Sequence, residues 1–377
     1  MDIRQLQQDI IDYSKDIGID KIGFASPSPF SEMKSRLIRQ QELQFQSGFE
    51  EPDIEKRVRP DLTFDHPHSI IAIAVAYPSK MKVRVVSKKG ERRGIFCRAS
   101  WGEDYHHILR KKLKLLEEYI ASKVPEAKFK SMVDTGELVD RAVAERAGIG
   151  WSGKNCSIIT PEFGSYVYLG EMITNLPFEP DSPMEDQCGS CTKCLDACPT
   201  GALVQGGQLN SQRCIAFLTQ TKGFLPEEFR EKIGNRLYGC DSCQTACPVN
   251  KGKDFHFHAE TEPDAEIAKP LLKPILNISN REFKEKFGPV SGSWRGKKPI
   301  QRNAVIALAH YKDETAVPDL IKVMTEDPRP VLRGTAAWSL GKIGGFEAKT
   351  ALERAGDLEQ DEEVLSEIRT GLSLLGG

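Results

Sequence analysis

The spacing of apolar and polar residues over the first 175 positions predicts short strands and helices that follow one another along the chain. The clearest segment is 69–77, which is apolar almost throughout and therefore predicts a strand covered on both faces. Similar patterns predict further elements, namely helices at 3–18, 103–124 and 139–147 and strands at 21–25, 130–133, 157–160 and 166–174. Strands that alternate with helices indicate one α/β or α+β domain.

A repeat of a different kind marks the C-terminal part. Leu308, Leu340 and Leu372 recur every 32 residues, and the run AVIALA at 304–309 parallels AAWSLG at 336–341. Small residues on one stripe of a helix allow paired helices to pack closely, as they do in HEAT-type arrays. A helical bundle with no special role is the alternative interpretation.

Most of the cysteines lie between these two patterns. Eight of the ten cysteines lie in this part: seven form the runs C-x2-C-x2-C-x3-C-P and C-x2-C-x3-C-P, and the eighth, Cys214, lies between the runs. The first run has the spacing of a bacterial two-cluster ferredoxin, in which the cysteine before proline ligates the other cluster. This rule divides the eight into two sets, each holding one 4Fe-4S cluster: Cys188, Cys191, Cys194 and Cys247, and Cys198, Cys214, Cys240 and Cys243.

Zinc sites and disulfides are the alternatives for so many cysteines. Zinc usually takes two separated C-x2-C pairs, which would leave the C-x3-C-P spacing unexplained. A disulfide framework is typical of short secreted chains, whereas this sequence shows no secretory signal. No apolar run approaches the roughly 18 residues of a membrane span. We therefore expect a cytoplasmic protein without membrane association.

Charge points to local patches. The net charge of −2 does not attract a polyanion, so any polyanion partner must bind at local patches. Two basic runs contain seven Lys or Arg residues each: 80–93, with one acidic residue, and 281–302, with two. A run of charge is usually a solvated face. Two such runs in a redox protein make nucleic acid a candidate partner.

The segment 134–155 is dense in charged residues and glycines. Asp134 follows a predicted strand and precedes a predicted helix, so its simplest interpretation is a helix N-cap, with Glu137 completing a capping box. The alternative is a carboxylic acid that burial keeps protonated and that donates a proton in a pocket. Glycines at 148, 150 and 153 would let the backbone approach a ligand closely. Nearby, Cys156 is interpreted as a small buried apolar residue, and the seven histidines show no metal-ligand spacing.

Four motifs resemble those of the epoxyqueuosine reductases. They are Asp-Thr-Gly at 134–136, ERAGIGWSGKN at 145–155, CxxCxxCxxxCPTGAL at 188–203 and YGCDSCQTACPVN at 238–250. The resemblance covers roughly residues 45–255, and bacterial members of that family can carry a HEAT-like C-terminal domain. One departure is Glu137, which stands where the family is expected to have proline.

The resemblance implies an oxidoreductase that reduces epoxyqueuosine to queuosine at the wobble position of tRNA, the last step of queuosine biosynthesis. Cobalamin would remove the epoxide oxygen with electrons that pass from an unidentified low-potential donor through the two 4Fe-4S clusters. We expect a monomer with an α+β fold in four parts: an α/β cobalamin-binding domain at 1–175, a ferredoxin-like domain at 176–260, a basic linker at 261–298 and HEAT-like helical repeats at 299–377.

The resemblance also implies roles for individual residues. Asp134 matches the family's proposed proton donor, and Cys97 would line the cobalamin. The full set implied to contact cobalamin is Arg57, Cys97, Asp134, Arg141, Lys154 and Asn155. The set implied to contact RNA is Lys222, Arg295, Lys297 and Lys298. No D-x-H-x-x-G motif occurs, so cobalt would have no histidine ligand from the protein.

Two other functions remain as alternatives. A reductive dehalogenase would share the corrinoid and the clusters, but such enzymes usually carry a twin-arginine export signal and no basic repeat domain. An electron-transfer module without a substrate of its own would leave the segment 134–155 and the C-terminal repeats without a purpose. Such a module predicts that no corrinoid is bound.

Overall fold

The computed structural model describes residues 2–375. Its contacts group into two compact, discontinuous units. Unit 1 comprises the chain up to Lys80, Gly102–Cys214 and Asp241–Glu262, and unit 2 comprises Met81–Trp101, Ile215–Cys240 and the chain from Pro263 onward. The division into four consecutive parts stays a prediction. No helix in the described part of the chain is long and apolar enough to cross a membrane.

The secondary structure is mixed. The strands, in chain order, are β1 (Lys21–Ala25), β2 (Ser69–Ala76), β3 (Ile95–Phe96), β4 (Phe129–Met132), β5 (Trp151–Ser152), β6 (Ile158–Ile159), β7 (Val167–Thr174), β8 (Leu203–Gln205), β9 (Gln208–Leu209) and β10 (Arg236–Tyr238). The helices are α1 (Ile3–Asp16), α2 (Ser31–Glu42), α3 (Ile54–Val58), α4 (Tyr105–Lys123), α5 (Asp140–Arg146), α6 (Lys193–Asp196), α7 (Ile215–Leu218), α8 (Glu227–Ile233), α9 (Ser242–Ala246), α10 (Ala265–Ala268), α11 (Leu272–Leu276), α12 (Asn280–Phe287), α13 (Lys297–His310), α14 (Val317–Glu326), α15 (Pro330–Ile343), α16 (Phe346–Leu358) and α17 (Glu362–Leu375).

Unit 1 is organised around a four-stranded sheet with the order β1-β2-β7-β4, in which every neighbouring pair is antiparallel. β2 is buried along its whole length, as its apolar run predicts. Antiparallel pairing is typical of α+β rather than α/β proteins. The pairing therefore decides between the two alternatives that the alternating pattern left open.

Helices cover both faces of this sheet. α5 packs against β1, β2 and β7, and Ala142 and Val143 share a buried cluster with Ile70 and Ala72. Successive side chains of a strand point to opposite faces, so Ile73 points to the other face. There Ile73 and Leu113 of α4 both lie within 4 Å of the position that a side chain would take at Gly170. β4 is an edge strand of this sheet, so the connection from β4 to α5 begins at that edge.

The cysteine-rich part of unit 1 contains short elements. α6 packs against α9, and these two helices carry Cys194 and Cys243. β8 and β9 form an antiparallel hairpin beside α6. Loops held by ligand cysteines, rather than a large apolar core, are typical of small cluster-binding folds.

Unit 2 is mainly helical. α15 packs against α13, α14, α16 and α17, and both Leu308 and Leu340 are fully buried. A side chain at Gly341 would come within 2.3 Å of the carbonyl oxygen of Gly371, so α15 and α17 are in backbone contact. Small residues therefore set the distance between these helices, as the repeat predicts.

Candidate functional site

The loop between β4 and α5 carries Asp134. α5 begins at Asp140 with Val139 as its N-cap, so the N-cap interpretation of Asp134 is wrong. Asp134 instead has a φ of +55°, in the left-handed region that non-glycine residues rarely occupy. The expected partner in a capping box, Glu137, accepts a hydrogen bond of 2.6 Å from Lys130 Nζ. The predicted helix 139–147 begins one residue before α5, so the apolar pattern placed the helix start more closely than the capping motif did.

The Asp134 carboxylate contacts two residues of α4, Tyr105 through a hydrogen bond and His106 through an ion pair. Tyr105 Oη donates to Asp134 Oδ2 across 2.8 Å, and His106 Nε2 lies 3.4 Å from the same oxygen. The other ring nitrogen of His106 lies 2.7 Å from Asp104 Oδ1. The Asp134 side chain is 60% exposed, whereas that of His106 is 18% exposed. The Asp134 carboxylate is therefore exposed, and the less exposed His106 beside it can hold a proton.

The proton of this pair resides on histidine. Burial alone would lower the pKa of His106, but the hydrogen bond to Asp104 and the nearby carboxylates of Asp104 and Asp134 outweigh it and raise the pKa to about 9. The contact with His106 lowers the pKa of Asp134 in turn. At neutral pH, Asp134 is ionised and His106 is an imidazolium.

Two further carboxyl groups lie behind Asp134. Asp140 Oδ2 accepts a hydrogen bond of 2.9 Å from the backbone N–H of Asp134, and burial raises the pKa of Asp140 to about 6. Glu171 of β7 is 1% exposed, and burial raises its pKa well above the ordinary value. Sequence reasoning missed both residues. A glutamate inside the apolar strand β7 was the available signal for Glu171.

The glycines of 145–156 serve the protein's own packing. A side chain at Gly150 would come within 2.2 Å of the carbonyl oxygen of Ile159, and one at Gly153 within 2.5 Å of Ile159 Cδ1. A side chain at Gly148 would meet the carbonyl oxygen of Ser182 at 2.8 Å. These contacts alone account for glycine at the three positions, and the close approach of a ligand to their backbone stays a prediction.

Two buried side-chain donors of this segment, Trp151 Nε1 and Asn155 Nδ2, have no hydrogen-bond partner among residues 2–375. Asn155 is 6% exposed, and its Oδ1 accepts a hydrogen bond of 3.1 Å from Ser157 N. Its Nδ2 is buried and has no hydrogen-bond partner among residues 2–375. A buried amide donor without a partner costs free energy, so it fits the acceptor of a bound group. Arg141 lies beside Cys156, which is half-buried rather than fully buried and whose pKa is raised by burial.

The remaining residues implied to contact cobalamin are Arg57, Cys97 and Lys154. Arg57 is half-buried; burial lowers its pKa, and the carboxylates of Glu50 and Asp140 act in the opposite direction. Cys97 belongs to unit 2, where its backbone N–H donates to Tyr238 O across 2.9 Å. Lys154 donates from Nζ to backbone carbonyls of the first cysteine pair rather than to a side chain. The cobalamin contacts as a set stay a prediction.

The first set of cluster cysteines lies wholly within unit 1. Burial raises the pKa of Cys194, and the nearby Cys188 and Cys247 raise it further. Burial also raises the pKa of Cys247, and the nearby Cys188 and Cys191 raise it further. These four sulfurs therefore lie near one another, which fits a single cluster. The assignment of individual ligands stays a prediction.

In the second set, Cys198 has the surroundings of a thiolate. Ala202 N donates to Cys198 Sγ across 3.2 Å. Burial raises the pKa of Cys198, but hydrogen bonds led by the backbone N–H of Leu203 outweigh it and lower the pKa. Hydrogen bonds to sulfur are among the features that tune protein-bound clusters. Across residues 2–375, no three His, Cys, Asp or Glu side chains converge tightly enough for one metal ion; thiolates at the corners of a cubane stand farther apart than ligands of a single ion.

The implied RNA contacts all belong to unit 2. Lys222 and Lys298 are exposed. Arg295 Nε donates to Gln220 O across 3.2 Å, and Lys297 Nζ donates to Ile278 O across 2.8 Å. Gln220 lies two residues before Lys222 in the sequence, so Arg295 and Lys222 are close to one another. The structure brings these basic residues to one area, and their role in RNA binding stays a prediction.

Comparison with known proteins gives three matching family models. They are the 4Fe-4S double cluster binding domain at residues 187–250, epoxyqueuosine reductase QueG (DUF1730) at 57–135, and HEAT repeats at 296–373. Together with the fold, these matches define an iron–sulfur oxidoreductase with a helical repeat region. The expectations of a two-cluster domain and of HEAT-like repeats are confirmed.

Whole-chain relatives identify the family. The epoxyqueuosine reductase of Bacillus anthracis is 72% identical over 375 residues, covering 100% of this chain and 99% of the relative. The structure of epoxyqueuosine reductase from Bacillus subtilis with the Asp134 catalytic loop swung out of the active site is 67% identical, with a TM-score of 0.97 and coverage of 99% and 100%. A crystal structure of epoxyqueuosine reductase with an epoxyqueuosine-modified tRNA-Tyr stem loop is 68% identical, with a TM-score of 0.97 and full coverage of both chains. The chain belongs to the epoxyqueuosine reductase family.

Proposed function

We propose that this protein reduces epoxyqueuosine to queuosine at the wobble position of tRNA, in the cytoplasm. The observation that carries the proposal is the relative that binds an epoxyqueuosine-modified tRNA stem loop, which matches this chain over its full length at 68% identity. The reaction consumes two electrons and two protons, removes the epoxide oxygen as water and leaves a carbon–carbon double bond. Two 4Fe-4S clusters suit this stoichiometry, because each transfers one electron at a time.

We propose cobalamin as the group that meets the substrate. Asn155 would donate from its unpartnered Nδ2 to an amide or phosphate oxygen of the corrinoid. Arg57 and Arg141 would bind its polar periphery, and Cys97 would line it. When bound, cobalamin supplies a low-valent cobalt centre that no amino-acid side chain can replace.

Asp134 supplies the proton that the cleaved C–O bond requires. In the protein alone, the carboxylate is ionised and His106 holds the proton. Covering the 60% exposed carboxylate with cofactor and tRNA removes water, which disfavours a charged pair. Transfer of the proton from His106 Nε2 to Asp134 Oδ2 neutralises both groups. Asp134 then donates this proton to the oxygen that leaves the carbon, while Tyr105 holds the carboxyl in place.

Binding of tRNA would use the basic surface of unit 2. Lys222 and Lys298 are exposed and would contact phosphates. Arg295 lies over the ring of Trp294 with its guanidinium 4.9 Å from the ring centroid. Arg295 would add its positive charge to this surface.

The test is anaerobic turnover. Protein reconstituted with iron, sulfide and cobalamin is mixed with epoxyqueuosine-containing tRNA and a low-potential reductant, and the nucleosides are analysed by mass spectrometry. We expect queuosine to form only when cobalamin and the reductant are both present. An electron-transfer module would bind no corrinoid and form no queuosine. Release of halide from aryl halides, without queuosine formation, would favour a reductive dehalogenase.

A further inference from the structure

The ammonium group of Lys154 is bound to the loop that carries the first two cluster cysteines. Lys154 Nζ donates to the carbonyl oxygen of Gly189 across 2.5 Å and to that of Cys191 across 3.1 Å. Gly189 lies between Cys188 and Cys191, so both carbonyls belong to one C-x2-C segment. Lys154 itself lies 34 positions before Cys188 in the sequence, and only the fold brings it there.

A second loop holds the Lys154 side chain in this position. The backbone N–H of Gly207 donates to Lys154 O across 3.1 Å. A side chain at Gly206, in the turn between β8 and β9, would come within 2.8 Å of Lys154 Cγ and 3.1 Å of Cδ. Gly207 has a φ of +76°, whereas the φ of Gly206 is not in the left-handed region. Backbone conformation thus explains glycine at 207. At 206, glycine is explained by the Lys154 side chain, which leaves no room for a Cβ atom.

A fixed positive charge beside a cluster-binding loop affects electron affinity. Reduction adds negative charge to a cluster, and its reduction potential depends on net charge, hydrogen bonding and solvent exposure. Lys154 is half-buried and held at both ends, so water and salt screen its charge less than that of a freely moving surface lysine. The charge therefore stabilises the reduced cluster.

We propose that Lys154 is a positioning residue for electron transfer, which raises the reduction potential of the cluster held by Cys188, Cys191, Cys194 and Cys247. This role is distinct from the cobalamin contact that the family resemblance implies for Lys154. The inference rests on the proposed ligand set. It deepens the proposed function because it names a residue that decides how readily electrons enter one of the two clusters.

The experiment is a potentiometric titration of the reconstituted full-length protein, followed by electron paramagnetic resonance. In Lys154→Met, we expect the equilibrium constant for reducing one of the two clusters to fall about tenfold, which is 59 mV for a one-electron couple. Lys154→Arg keeps the charge and should remain within threefold of the unchanged protein. The matched control is Lys193→Met, which removes an exposed lysine between two cluster cysteines. Its effect should be below threefold, because solvent screens that charge.

Gly206→Ala provides a second variant in which no charge is removed. Its methyl group displaces the Lys154 stem, so one potential should shift in the same direction as in Lys154→Met. Unchanged potentials in Lys154→Met with full iron content would overturn the inference. Iron loss in Lys154→Met together with unchanged potentials in Gly206→Ala would also overturn it and leave Lys154 as a support for the loop. Failure of the unchanged protein to bind two clusters would instead refute the ligand assignment.

Discussion

The backbone N–H of Asp134 donates a hydrogen bond of 2.9 Å to the carboxylate of Asp140, the first residue of α5. This bond holds Asp134 in its left-handed conformation, with φ at +55°. Burial is the main cause of the raised pKa of both Asp140 and Glu171, the charge of Asp134 raises both further, and the N–H bond partly offsets the rise at Asp140. The loop that carries Asp134, the proposed proton donor, is thus fixed by the carboxyl group of Asp140. Burial disfavours the charged form of that group.

Asp140 should make stability depend on pH. Its folded-state pKa of about 6, raised by burial, lies above the ordinary 3.8, so the unfolded state loses this proton first as pH rises. The free energy of unfolding therefore falls as pH rises from 3.8 to about 6, by up to about 3 kcal/mol for a shift of about two pKa units. Asp140→Asn keeps an oxygen that can accept the Asp134 N–H bond. We expect it to unfold at a higher temperature than the unchanged protein at pH 7 and at the same temperature near pH 3.

Asp134→Asn should abolish most of the turnover without affecting the fold. Asparagine cannot donate the proton, and general acid catalysis typically contributes about 10² to 10⁴ in rate. Because Asp134 is not the cap of α5, the thermal midpoint should change little. Cluster content and tRNA affinity serve as controls and should be unchanged. Near-normal queuosine formation would show that another group or water supplies the proton.

His106→Asn should shift the pH dependence of turnover to lower pH. With His106 present, its pKa of about 9 keeps a proton beside Asp134 up to that pH. Without it, Asp134 must take its proton from solvent, so the rate should begin to fall at a lower pH. The control is His107→Asn, the adjacent residue of α4. A pH–rate profile identical to that of the unchanged protein would contradict the assignment of His106 as the proton source.

Cys194→Ala and Cys243→Ala should each remove about half of the iron and abolish turnover. The two residues belong to different predicted ligand sets but to neighbouring helices, α6 and α9. A cubane that loses one of its four thiolates is generally lost, whereas the other keeps its own ligands. Iron and sulfide analysis after anaerobic reconstitution measures the result. Cys156→Ala is the control and should retain all the iron.

Lys298→Ala should weaken tRNA binding and reduce its salt dependence. Removing one lysine that binds a phosphate lowers the slope of log affinity against log salt by roughly 0.7–0.9. Lys297 should contribute less, because its ammonium already donates to Ile278 O at 2.8 Å. Lys322→Ala removes another exposed lysine of unit 2 and should leave the slope unchanged. Equal slopes for Lys298→Ala and the unchanged protein would place the RNA on another surface, such as the basic run 80–93.

The sequence by itself determined the features that depend on local spacing. Alternation and apolar runs predicted the main elements of unit 1 to within about two residues at most ends, because side-chain direction along a strand or helix is fixed by the backbone. The cysteine spacing identified the two-cluster domain, since three closely spaced cysteines wrap one cluster and the cysteine before proline ligates the other.

Only the tertiary structure decided what each charged residue of the 134–155 segment contacts. Asp134 had the sequence surroundings of a helix cap, yet its partners Tyr105 and His106 come from a helix that precedes it by about 29 residues. Lys154 finds its carbonyl partners 35 and 37 residues away. Long polar side chains take whichever partners the packed backbone brings within reach, and hydrophobic periodicity carries no information about that choice.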